Sequence, residues 1–238
     1  MNLKLGVNMN IKGIQKLTLL DYPGRVACTL FTGGCNFRCP FCHNSMLVID
    51  PEKNLSHDIG EIMSYLKKRR GVLEGVAITG GEPLLQPDIA DFIRDVRALG
   101  YPVKLDTNGS RPRVLSELIQ SGLVDYVAMD IKNSRERYGA TIGIPDYDTS
   151  AVEESARLLM QGGVEFEFRT TVTRQFHEAE DFVKIGKWLC GDERFYLQQF
   201  KDSGSLIDSE VSGWDDATLK GFGEILKKYI PRTEIRGI

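Results

Sequence analysis

Asp125-Tyr126-Val127-Ala128-Met129-Asp130-Ile131-Lys132 is the stretch whose reading decides the fold. Side chains of a strand alternate between its two faces. Val127, Met129 and Ile131 therefore share one face, and Ala128, Asp130 and Lys132 share the other. The apolar face suits packing beneath helices. The other carries charge, whereas a parallel strand covered on both sides should read as one apolar run. The same polarity recurs outward from this stretch. VKLDT (103–107) sets Val103 and Leu105 against Lys104 and Asp106, and VEFEFRTTVT (164–173) sets Val164, Phe166 and Phe168 against Glu165, Glu167, Arg169 and Thr171. FYLQQF (195–200) separates Phe195 and Leu197 from Tyr196 and Gln198, and VACTLFT (26–32) and GVAIT (75–79) complete six strands.

Helical patterns lie between them: HDIGEIMSYLKKRR, PDIADFIRDVRALG, RPRVLSELIQSG, TSAVEESARLLMQGG and EAEDFVKIGKWLCG, several ending in glycine. Strand–helix alternation at this spacing predicts parallel strands joined by helical crossovers, hence an α/β fold. Six units predict a partial (β/α)6 TIM-like barrel. A closed barrel fills its lumen with bulky branched residues. A polar inner face predicts an open barrel around a large polar ligand; the plain alternative puts some of those residues at strand ends or edges.

With 238 residues, 42% hydrophobic and 26% charged, the chain can bury a substantial core. No repeat or linker divides it, so residues 1–238 are expected to form a single domain, with 1–25 as an N-terminal extension. Thirty basic against 33 acidic side chains give a net charge of -3, which offers no electrostatic case for nucleic-acid or membrane-surface partners. No apolar run reaches the roughly 20 residues of a membrane span. The stretch MNLKLGVNMNIKGIQ has no apolar core or small-residue cleavage site, so a cytoplasmic location is expected, with Met9 an alternative start to Met1.

Three of the five cysteines, Cys35, Cys39 and Cys42, fall in the loop CNFRCPFC directly after the first strand and a Gly33-Gly34 pair. An odd, clustered set of this kind is not a disulfide framework. Three close thiolates suit iron–sulfur or zinc. Zinc needs a fourth ligand, for which His43 or Cys28 are the candidates. His43 adjoins Cys42 awkwardly, and Cys28 shares the core face of its strand with Val26 and Leu30. Three ligands without a convincing fourth leave a position open for chemistry. Thr79-Gly80-Gly81-Glu82-Pro83 ends the second strand, and Leu105-Asp106-Thr107-Asn108-Gly109 ends the third. Each is at least a turn signal. Asp106 and Asp130 lie on the polar faces of adjacent strands and are expected to converge near the barrel mouth. His177, before a helix, reads first as a core histidine, and Gln198 as a minor lining residue.

The C-x3-C-x2-C triplet with Phe41 before its last cysteine, together with the GGE motif, resembles the radical S-adenosylmethionine (SAM) superfamily. That resemblance implies a 4Fe–4S cluster on Cys35, Cys39 and Cys42, whose fourth iron takes SAM, with Gly80, Gly81 and Glu82 at the SAM amino group. The DTNG and MDIK segments resemble the glycyl-radical-enzyme activases. In the pyruvate formate-lyase activating enzyme, matching residues help hold SAM and a monovalent cation. This implies SAM contacts for Asp106, Thr107 and Asp130, and weaker ones for Lys132 and Arg169; Arg169 has a salt bridge to Glu167 or another lumen acid as its alternative. The upstream LLDYPG segment (19–24) resembles activating proteins of anaerobic ribonucleotide reductase. The implied partners are that reductase, or another glycyl radical enzyme, and an electron donor such as flavodoxin or ferredoxin. No second cysteine-rich segment suggests extra clusters. Two other readings stand beside it: a small-molecule radical SAM enzyme such as a 7-carboxy-7-deazaguanine synthase, which shares a TGGEPLLQ-like run (79–86), and an electron-transfer or structural iron–sulfur protein.

Overall fold

The computed structural model describes residues 8–238 except Asn54 and Ser203. Met1 therefore lies outside the described residues. Eight strands among them form one sheet in chain order: β1 (Ile11–Thr18), β2 (Ala27–Thr32), β3 (Gly75–Gly80), β4 (Val103–Thr107), β5 (Tyr126–Asp130), β6 (Glu165–Val172), β7 (Phe195–Gln199) and β8 (Thr233–Arg236). β1 pairs antiparallel with β2, and every later pair is parallel. The crossovers carry α1 (Ser45–Ile49) and α2 (Ile59–Lys68), α3 (Ile89–Ala98), α4 (Pro112–Gln120), α5 (Tyr138–Ile142) and α6 (Ser150–Met160), α7 (Ala179–Trp188), and α8 (Asp216–Lys227). The architecture is the α/β open barrel that the alternation predicts, with β1 and β8 as its edges. None of its described helices is long and apolar enough to cross a membrane.

Two strands extend the six expected. β1 lies within the segment read as an extension, yet its register (Ile11 opposite Thr32, Thr18 opposite Ala27) makes it part of the sheet. β8 has four residues and follows α8, which the sequence reading also passed over.

The helices start where capping chemistry allows. Asp58 accepts from the Glu61 N–H at 2.9 Å, and Asp215 from the Thr218 N–H at 2.9 Å, each satisfying an orphan donor of the first turn. Their apolar stripes (Ile62, Met63 and Leu66 in α2; Leu219, Phe222 and Leu226 in α8) are buried. In the same core Val127, Met129 and Ile131 are all fully buried, as the alternation requires. Cys28 belongs to this core.

The lumen is closed at its floor. Tyr22, from the LLDYPG segment, packs with Ala27 and Tyr126, and a Cβ at Gly75 would stand 2.9 Å from its ring. Beside it Glu167, 1% exposed, accepts two hydrogen bonds from the Arg236 guanidinium (2.8 and 2.9 Å) and one from the Tyr126 hydroxyl (2.8 Å). A buried carboxylate is tolerated when paired and bonded in this way. Glu167 is thereby committed to the floor. The opposite end, at the strand C-termini, stays open.

Candidate functional site

β2 runs into Gly33 and Gly34, whose N–H groups donate to Asn10 O (2.8 Å) and Leu47 O (2.7 Å), and the cysteine loop follows. The residues between the cysteines anchor it. Phe37 packs edge-on against Tyr138 and Tyr147, and Phe41 packs at a tilt against Phe176. The Arg38 guanidinium donates back to Cys35 O (2.6 Å) and Phe37 O (2.8 Å). With its aromatics turned into the core, the loop presents Cys35, Cys39 and Cys42 to one cavity at the strand C-termini. Ligand sites of open α/β sheets lie at this end.

The other expected residues line the same cavity: Gly80, Gly81 and Glu82 at and just after the end of β3, Asp106 and Thr107 from β4, Asp130 and Lys132 at and just after the end of β5, and Arg169 from β6. Gln198 and His43 are there too, whereas Cys28 is in the core and Cys190 is exposed.

The glycines of the GGE turn are required by backbone packing. Gly80 has a φ of 121°, where side chains are strained, and a Cβ on Gly81 would stand 1.9 Å from Gly34 O. Gly81 N–H donates to Thr32 O and Glu82 N–H to Gly34 O, both at 2.8 Å, so this turn supports the cysteine loop directly. Glu82 faces the neighbouring strand. Its fully buried carboxylate accepts from Thr107 Oγ1 (2.8 Å), Asn108 N (2.7 Å) and Leu84 N (3.0 Å). Burial pushes its pKa up to about 7 against the pull of these donors. Glu82 thus ties the end of β3 to the end of β4.

That latch positions two asparagines that sequence reasoning missed. Asn108 Nδ2 lies 3.8 Å from Cys35 Sγ and donates to Asn36 Oδ1 at 3.0 Å, and Asn36 Nδ2 donates to Ser110 Oγ at 2.9 Å. Asn108-Gly109 reads as a turn in sequence; only its neighbour across the fold reveals the contact with sulfur.

Across the lumen, five charged side chains form an alternating chain. Lys104 pairs with Asp106, whose other oxygen accepts from Arg169 NH1 at 3.2 Å. Arg169 Nε and NH2 reach Asp130 Oδ1 at 3.0 Å, and Lys132 Nζ reaches Asp130 Oδ2 at 2.9 Å. Arg169 therefore binds both site acids and makes no ion pair with Glu167. Burial opposes ionisation of Asp130, but Arg169 and Lys132 override it and hold the pKa at about 2; Asp106 is lowered by Arg169 and Lys104 in the same way. His177 lies outside the cavity. Its Nδ1 accepts from Thr173 N (3.2 Å), which leaves Nε2 to donate to Lys132 O (2.8 Å), and burial lowers its pKa to about 4. It braces the strand end that carries Lys132.

The donor set fits an iron–sulfur cluster. Burial pushes Cys35 up to about 11 and Cys39 to about 12, so thiolates here need a cationic centre, which bound metal supplies. Sulfurs sharing one zinc ion would stand about 3.8 Å apart, given Zn–S bonds of about 2.3 Å in a tetrahedron. Among the described residues no three His, Cys, Asp or Glu side chains gather for a single ion. A cubane asks less convergence, because each thiolate takes its own iron.

Comparison with known proteins agrees. The family model described as "Radical SAM superfamily" matches residues 29–189. A "Putative glycyl-radical enzyme activating enzyme" of Methanocaldococcus jannaschii is 30% identical over 235 residues, 96% of each chain. A 7-carboxy-7-deazaguanine synthase of Koribacter versatilis is 32% identical over 152 residues, 63% of this chain and 62% of that protein. In fold, a radical SAM methyltransferase from Sphaerobacter thermophilus covers 92% of this chain and 68% of its own, with a TM-score of 0.70 at 14% identity. The chain belongs to the radical SAM superfamily of enzymes, and membership implies a 4Fe–4S cluster and S-adenosylmethionine.

Proposed function

We propose that this chain is a glycyl-radical-enzyme activase, and that its partner is an anaerobic ribonucleotide reductase. The observation that carries the reading is the end-to-end match with the Methanocaldococcus jannaschii relative, which spans 96% of both chains where the deazaguanine synthase match spans under two thirds. The LLDYPG segment, a floor element in this fold, adds to it. The cluster and SAM, when bound and reduced by one electron from a flavodoxin or ferredoxin, supply a 5′-deoxyadenosyl radical that takes a hydrogen atom from a glycine of the partner.

The chain's own residues bind and orient. In this proposal Cys35, Cys39 and Cys42 hold the cluster, with the Asn108 amide beside Cys35 Sγ tuning it as hydrogen bonds to cluster sulfur do. Gly80 and Gly81 bring backbone to the SAM amino group, and Glu82 fixes Thr107 in register with them. Asp106, Thr107, Asp130, Lys132 and Arg169 supply polar contacts along the lumen wall, so that the cofactor and a glycine-bearing loop reach the close approach that makes atom transfer efficient. The closed floor leaves the strand C-terminal mouth as the entrance for that loop.

The test mixes the cluster-loaded chain, SAM, a strong reductant and an anaerobic ribonucleotide reductase from the same organism, all without oxygen. A glycyl-type doublet in the electron paramagnetic resonance (EPR) spectrum of the reductase supports the reading. A radical-free reductase, with SAM cleaved and a purine-precursor small molecule turned over, would transfer the assignment to the deazaguanine-synthase type.

A further inference from the structure

The resemblance brings a monovalent cation to the carboxylates beside SAM, here Asp106 and Asp130. We propose that Arg169 permanently supplies that positive charge, so that SAM binding in this chain requires no added cation. The inference rests on the reading of this lumen as the SAM site.

Every carboxylate oxygen of the pair already meets a cationic donor. Asp106 takes Lys104 on Oδ1 and Arg169 NH1 on Oδ2 at 3.2 Å. Asp130 takes Arg169 Nε and NH2 on Oδ1 at 3.0 Å, and Lys132 on Oδ2 at 2.9 Å. A hard metal ion binds by gathering several free oxygen ligands. Here those oxygens face N–H groups. Within this chain of five, three basic side chains oppose two acids, and the remaining lining carboxylate, Glu82, is taken up by Thr107 and Asn108, so no free carboxylate oxygen is left to draw in a further cation.

The backbone fixes this arrangement. Asp130 and Arg169 are register partners in the β5–β6 pair, and Asp106 is registered with Ala128 on the other side of β5. Arg169 therefore rises between the two acids from a strand, its side chain 14% exposed. A guanidinium is always charged, weakly hydrated and forked to bridge two carboxylates. Dilution and salt exchange do not remove it. Arg169, with Lys132 at the Asp130 end, lines the cavity and suits the carboxylate of the amino acid moiety.

The experiment measures the SAM dissociation constant of the cluster-loaded protein by equilibrium dialysis, at one ionic strength in potassium, sodium or choline chloride. The expected constants agree within twofold across the three salts. A constant at least fivefold tighter in potassium or sodium than in choline overturns the proposal, and this arm needs no variant. In Arg169→Ala the constant is expected to weaken about tenfold or more, with recovery on adding potassium or millimolar guanidinium but none with choline. Loss without recovery by either ion also overturns the charge-replacement role; the cluster absorbance confirms that the variant is intact. If wild-type protein carrying its cluster binds SAM in none of the salts, the SAM-site reading itself fails, and the inference falls with it.

Discussion

Glu82→Gln removes one charge and one acceptor from a fully buried latch while keeping its volume. Glu82 Oε1 accepts from Leu84 N and Thr107 Oγ1, and Oε2 from Asn108 N. The better amide orientation leaves oxygen at the Oε1 position and turns the NH2 group on the Asn108 N–H, donor facing donor. One buried N–H is then orphaned, at a cost of about 1–3 kcal/mol. A chain of this length loses about 2–4 °C in Tm per kcal/mol, so a central cost of about 2 kcal/mol lowers Tm by about 4–8 °C. Thermal unfolding of wild type and variant at pH 8, where Glu82 is ionised, reads this directly. The loosened β4 end should also disturb Asn108 beside Cys35 Sγ and shift the EPR spectrum of the reduced cluster. Unchanged Tm and an unchanged cluster spectrum would refute the latch.

Other consequences follow from the same geometry. Reconstitution should give about four irons per chain by chemical assay, as cubane sites do; Cys35→Ala, Cys39→Ala and Cys42→Ala should each lose them, while Cys28→Ala and Cys190→Ala should keep them. Asp106→Ala or Asp130→Ala should weaken SAM binding by about 1–3 kcal/mol, the cost of leaving buried charged partners unpaired, with the cluster absorbance unchanged; normal affinity in both would remove these acids from the site. His177 is held neutral, with its pKa lowered to about 4 from the 6.5 of the unfolded chain. Its contribution is complete above pH 6.5 and is lost as pH falls towards 4, because only the unfolded chain then takes up the proton; urea unfolding should show His177→Gln flattening this slope by up to about 3 kcal/mol. Gly81→Ala should fail to retain the cluster, since its Cβ would stand 1.9 Å from Gly34 O and displace the cysteine loop.

The period-two pattern of residues 125–132 carried most of the fold, because a lumen wall must repeat its polarity on each strand. It carried less at the edges. β1 holds Gly13, has register shifts against β2 and leaves residues 15–17 exposed, so its alternation is blurred; β8 is too short to establish a period. That the eleven candidate residues would line one cavity was legible because each sits at a strand C-terminus or in the cysteine loop, and the topology brings those ends together. The contacts among them were not. Nothing local marks Glu82 as a latch to Thr107 and Asn108, 25 and 26 residues away, or says that Arg169 joins both Asp106 and Asp130 while Glu167, two residues earlier on the same strand, belongs to Arg236 and the floor. Such partnerships depend on strand register, which is a property of the assembled sheet.

The central claim is that a hydrogen atom passes from a partner's glycine to the adenosyl group held in this lumen. The direct measurement uses a partner reductase labelled with dideuterated glycine, incubated with the cluster-loaded chain, SAM and reductant, followed by mass spectrometry of the 5′-deoxyadenosine formed. The account predicts one deuterium per product molecule, matched to the glycyl radical counted by EPR. Product of natural isotopic mass alongside a glycyl radical, or steady product formation with no radical on the partner, would contradict it.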